Sequence, residues 1–124
     1  MKTHRMRAAA NYLLAMLAVL SAAPAGAQSP NFILTNNTGF TVYSVHIWPS
    51  VSGNRGRDRL GDDTIPSGAS YEFRPNMDEC VYSIRIQLED SGYEKQWDDV
   101  DLCSLVTLTL NYNYQTRSLW ASKQ

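Results

Sequence analysis

The chain has 124 residues, 12 acidic and 11 basic side chains and two cysteines. A length of this order holds one domain. The near-neutral balance excludes the broad basic footprint of a protein built to hold nucleic acid or an anionic membrane.

The first element is a leader. Lys2, Arg5 and Arg7 form a positive start, and Tyr12 to Leu20 is an apolar run. A small-residue stretch follows and ends in Ala25-Gly26-Ala27. That order predicts a secretory signal peptide, 1–27, cut between Ala27 and Gln28. The leucine-rich run is far short of the roughly 20 apolar residues that a membrane span needs. No cysteine stands near the cut for a lipid anchor, and Met6 separates Arg5 from Arg7, against a twin-arginine signal. The leader carries three of the 11 basic residues and no acid, so the mature part, 28–124, has a charge of about −4. The expected location is periplasmic or secreted, with no membrane insertion after cleavage.

From there the pattern is that of strands. Asn31 to Thr35 is short and apolar. Asn36-Asn37-Thr38-Gly39 is a turn cluster, and Phe40 to Trp48 is rich in β-branched and aromatic residues. These two strands are expected to form a hairpin. The Asn36 glycosylation-like triplet is read only as a turn, because the leader has a bacterial character.

Pro49 to Asp63 reads as a long loop outside the packed core. Thr64-Ile65 resumes a strand, Pro66-Ser67-Gly68 is a turn, and Ala69 to Arg74 is a strand with Tyr71 and Phe73 on one side. Cys80 to Leu88 alternates clearly, with Cys80, Tyr82, Ile84, Ile86 and Leu88 on one face. After a turn at Glu89 to Gly92, Tyr93 to Leu102 returns. Its apolar residues change parity between Trp97 and Val100, which predicts a bulge near Asp98-Asp99. Leu105 to Tyr114 alternates again, with Val106, Leu108, Leu110, Tyr112 and Tyr114 on one face. The sum is an all-β fold: a small antiparallel β-sandwich of about six or seven strands, with a small barrel as the alternative.

Cys80 and Cys103 lie nearly symmetrically about the turn near residue 91, so a hairpin brings them face to face as one disulfide. Two cysteines alone at this spacing do not make a metal site.

No catalytic set emerges. His46 is the one histidine beyond the leader. Ser44 shares its strand face without the geometry of a relay, so His46 is read as structural. Asp98, Asp99 and Asp101, with Glu89, Asp90 and Glu94 nearby, are read as solvated acids, since no calcium-loop pattern surrounds them. No metal or other cofactor is expected.

Arg55, Arg57 and Arg59 alternate in the long loop, and an extended backbone would send all three to one side. Arginine suits bidentate recognition of anions. Asp58, Asp62 and Asp63 oppose that charge unless they face elsewhere. Trp48 adds a stacking surface beside the loop. Trp48, Arg55, Arg57 and Arg59 are therefore the candidate ligand-binding residues. Tyr112 and Tyr114 are assigned to the core, with Trp120 an aromatic tail.

Five segments in order also resemble an uncharacterised family of small secreted or periplasmic proteobacterial β-domain proteins. They are Asn36-Asn37-Thr38-Gly39, Arg55-Gly56-Arg57-Asp58-Arg59-Leu60-Gly61, Ser67-Gly68, Cys80-Val81-Tyr82-Ser83-Ile84-Arg85 and Val100-Asp101-Leu102-Cys103. Arg55 replaces the family's Trp, and Ser83 its Asp. The resemblance implies an exported β-domain and supplies no activity. The expectation is a monomeric, non-enzymatic module that binds an unknown protein or a small anionic or carbohydrate ligand through the 48–63 loop. An interaction or inhibitor-type protein working through a sheet edge is the alternative, and an exported hydrolase comes last.

Overall fold

The computed structural model describes residues 29–75, 78–89 and 92–124. The expected leader and its expected cleavage site lie outside these residues, as does part of the turn expected at Glu89 to Gly92. Seven strands follow in chain order: β1 (Phe32–Asn37), β2 (Val42–Pro49), β3 (Ser70–Phe73), β4 (Val81–Leu88), β5 (Glu94–Asp101), β6 (Thr107–Asn113) and β7 (Ser118–Lys123). One sheet has the order β3-β1-β6-β7 and the other β2-β4-β5. Neighbours are antiparallel except β1 and β6, which run parallel. The protein is an all-β, two-sheet sandwich, and no helix of the described residues is long and apolar enough to cross a membrane.

The core is what the alternation supplies. Tyr82, Ile84, Ile86 and Leu88 of β4 are fully buried, as are Leu34 of β1 and Leu110 of β6. In β2 the phase changes. Val42 pairs with Leu88 and Ser44 with Gln87, so Tyr43 is an extra residue. This bulge lets Val42 and then Val45 and Ile47 all point inward. In β5 the expected bulge is present: Ile84 faces Trp97, Tyr82 faces Val100, and Asp99 has φ 57°. The bulge restores Val100 to the buried face. Cys80 and Cys103 form a disulfide beyond the paired ends of β4 and β5, with their Cα atoms 5.2 Å apart.

Five expectations need correction. The first two strands are not a hairpin, because β1 and β2 belong to opposite sheets. The Asn36 amide explains the arch between them. Its Nδ2 donates to the carbonyls of Phe40 and Ile65, at 2.7 and 2.8 Å. Its Oδ1 accepts from the Thr38 amide and hydroxyl. A side chain thus satisfies the backbone groups that a hairpin ladder would otherwise pair. Gly39 sits at φ +87°, and a Cβ there would collide with the Tyr114 hydroxyl. That hydroxyl donates to the Thr38 carbonyl at 2.7 Å.

The second correction concerns Val106, which is 68% exposed while Leu105 is buried. A short 3-10 turn, Leu102–Ser104, precedes Leu105, and β6 begins only at Thr107. Val106 contributes its backbone, pairing with Ile33 and Gln124. Third, Tyr114 is an exposed brace rather than a core residue, and Tyr112 is partly buried against the core. Fourth, the long loop is not wholly outside the core, since Leu60 is buried within it. Fifth, Ile65 makes an isolated bridge to Val42 rather than a strand.

Candidate anion-binding cleft

β2 is an edge strand, and its free side is where the long loop docks. The Asp58 carboxylate accepts from the Val45 amide at 2.9 Å and from the Leu60 amide at 3.0 Å. The Arg59 amide donates to the Val45 carbonyl at 2.7 Å. Further along, Val42 and Ile65 exchange both of their backbone bonds. The loop thereby covers much of an edge that would otherwise invite another strand.

The loop's polar composition is also its internal scaffold. Ser52 Oγ accepts from the Asn54 amide, and Asn54 Oδ1 accepts from the Gly56 amide. Asp58 Oδ1 repeats the pattern two residues on, at Leu60. Each is a local side-chain-to-backbone turn of the kind these residues favour. With Leu60 inserted in the core, the segment is held at both its middle and its end.

Arg55, Arg57 and Arg59 line a single open cleft of about 490 Å3, together with Trp48. Ile47 and Pro49 of β2, and Ser52 and Asn54 of the loop, complete it. All four residues singled out in the sequence are thus brought together. Asp58, which the sequence set against the arginines, is bonded to the Val45 and Leu60 amides instead. Asp62 and Asp63 are exposed and make no ion pair with the three arginines. Among the described residues the ion pairs are Arg74–Glu72 and Arg85–Glu94, so the cleft's guanidinium charge has no carboxylate partner.

Arg59 is the innermost of the three. Its Nη2 donates to the Ile47 carbonyl at 3.2 Å, which orients the planar group. Partial burial, and then the neighbouring Arg57 charge, lower its pKa from the ordinary arginine value. A cation that is both partly desolvated and repelled by another cation is stabilised by an arriving anion. Tyr82, which interacts electrostatically with Arg59, is fully buried, and its hydroxyl has no hydrogen-bond partner among the described residues. Burial, followed by Glu79, raises the pKa of that phenol, while Arg59 acts in the opposite sense.

The remaining candidates do not converge. His46 Nδ1 lies 3.3 Å from the Gly56 carbonyl and steadies the loop. Ser44 is bonded to Gln87 rather than to His46. Asp98 accepts from Ser83 at 2.8 Å and from Gln96 at 2.9 Å. These two bonds, Gln96 first, hold its carboxyl below the usual range. The Asp99 amide donates to Ser50 Oγ, and Asp101 caps the Cys103 amide. Asp101 also lies beside Cys80 and Cys103, but the two sulfurs there are already bonded to each other. Trp120, 50% exposed, stands on β7, away from the cleft's lining.

The sequence reading missed Arg74. It lines a second hollow of about 180 Å3, which shares Ile47, Arg57 and Arg59 with the first. No local signal marks Arg74, because its nearness depends on β3 of one sheet passing the loop of the other.

No family model matches the chain, and no curated protein matches it. Among solved structures, an NMR structure of a protein from Eubacterium rectale is similar, with a TM-score of 0.56 and 14% identity. The similarity covers 82% of this chain and 94% of that one. At that identity the likeness speaks for the fold alone.

Proposed function

We propose that the chain is an exported, monomeric, non-enzymatic binding module that captures a small anionic ligand in the cleft between Trp48 and the 49–63 loop. One observation carries this reading. Arg55, Arg57 and Arg59 line one open cleft with Trp48, and no carboxylate among the described residues is paired with them. Guanidinium groups in that arrangement offer fork-shaped donors to carboxylate, sulfate or phosphate. Trp48, only 9% exposed, lines the cleft with little open ring surface, so the arginines carry the recognition. Export is part of the same proposal and rests on the leader and on the disulfide, a bond that persists in oxidising compartments. Kinship with the small secreted β-domain proteins is likewise proposed from the five matching segments.

Strand addition at β2 is less favoured, because the loop occupies much of that edge. The test is a titration of the purified mature domain with sulfate, phosphate and monomeric galacturonate, followed by amide shifts and calorimetry. Shifts confined to Trp48 and residues 52–59, weakened by added salt and abolished in a folded Arg55→Ala/Arg57→Ala/Arg59→Ala variant, support the cleft. Unchanged binding in that variant refutes it.

A further inference from the structure

The two hollows share a wall. Arg57 and Arg59 line both, with Arg55 beyond them on one side and Arg74 on the other. The cationic surface therefore runs from the loop across the seam between the sheets to the end of β3. Resting on the anion-binding reading above, we infer that the cleft and the second hollow form one groove for an acidic oligosaccharide. One anionic sugar sits at Arg55, beside Ser52 and Asn54, and the next sits between Arg57, Arg59 and Arg74.

Three features select a sugar over an acidic peptide. The groove interleaves its arginines with hydroxyl and amide groups, Ser52 and Asn54 in the first hollow and Tyr71 in the second. Such groups match the hydroxyls that a sugar carries beside each charge. Glu72 also lines the second hollow and is paired with Arg74 at 3.2 Å. A carboxylate there accepts hydroxyl donors, which a sugar carries beside its charge and an acidic side chain lacks. An acidic peptide would gain most by adding to a sheet edge beside the groove, yet of the two edge strands that line it β2 is largely covered and β3 offers only four residues.

Arg74 is well placed to join a ligand. Its side chain is 69% exposed and that of Glu72 52%, so the pair is a surface one. Exchanging Glu72 for a sugar carboxylate costs little. A second anchored unit then binds intramolecularly, at a raised effective concentration.

The experiment compares galacturonate, trigalacturonate and a penta-glutamate peptide by calorimetry on the wild-type mature domain and on Arg55→Ala and Arg74→Ala. Circular dichroism confirms that each variant is folded. The expected result is that trigalacturonate binds about tenfold or more tightly than the monomer. Arg74→Ala removes most of that advantage, and Arg55→Ala weakens the trimer as well. Equal affinity for monomer and trimer, or a trimer indifferent to Arg74→Ala, overturns the extended groove while the single-anion cleft stands. Tighter binding of penta-glutamate than of trigalacturonate overturns the sugar assignment. Failure of sulfate, phosphate and every probe here removes the groove and the cleft together.

Discussion

Asp58→Ala tests the loop's anchorage. One carboxylate oxygen receives two backbone amides, those of Val45 and Leu60, at 2.9 and 3.0 Å. Both donor residues are buried, Val45 fully. Hydrogen bonds to a charged group contribute about 1.5–3 kcal/mol each. Asp58 is only half-buried, so the lower figure applies, and the pair amounts to about 3 kcal/mol. With an m-value near 1.5 kcal/mol/M, that is a fall of about 2 M in the urea midpoint. Asp58→Asn keeps an acceptor oxygen and loses only the charge, so its midpoint should fall by less than half as much. Hydrogen exchange supplies the local readout: the Val45 and Leu60 amides lose protection in the alanine variant and largely keep it in the asparagine variant. A midpoint within about 0.3 M of wild type for Asp58→Ala would refute the reasoning. So would an asparagine variant as unstable as the alanine one, since the acceptor geometry would then count for nothing.

Three further outcomes are expected. Replacing both cysteines with serine opens a loop of 23 residues' separation, which in the chain-entropy model costs about 3 kcal/mol and lowers the Tm by roughly 12–24 °C; a calorimetric scan checks it. Gly39→Ala places a methyl against the Tyr114 hydroxyl at a positive φ, and should cost about 2 kcal/mol by denaturation, with part of that recovered by adding Tyr114→Phe. Asp98 titrates below its unfolded value because Gln96 and Ser83 donate to it. Its contribution to stability is therefore complete above about pH 4 and lost as the pH falls through the depressed value, so Asp98→Asn should flatten the acid limb of a stability–pH curve.

What could be read beforehand was local. The β4–β5 pairing follows from alternation and a nearby turn, and the disulfide follows from the pairing. The Asp98-Asp99 bulge was visible as a parity conflict between Trp97 and Val100. The arginines' shared side followed from their spacing. Asp58's orientation did not, because it depends on an amide of β2, 13 residues away. The arch after β1 was misread because Asn-Asn-Thr-Gly suits a hairpin as well as a crossing. The deciding bond is to Ile65, 29 residues on. β7 escaped notice because only Leu119 of its six residues is buried, and its entry turn uses Arg117 at φ 56° in place of glycine. Several residues behind the resemblance prove to be braces. Asn36, Gly39, Asp58 and Leu60 hold the arch and the loop, so that pattern describes a scaffold more than a ligand.

The parallel pairing of β1 with β6 also sets an order of assembly. Asn37 meets Asn111 across 74 residues. β1 therefore lacks that partner until the chain 74 residues further on has been delivered. The second sheet needs nothing beyond Asp101, so its three strands are all made before β6 exists. Among the described residues, closing the first sheet is thus the longest-range strand pairing, tying the head of the domain to its tail, while the second sheet closes within residues 42–101.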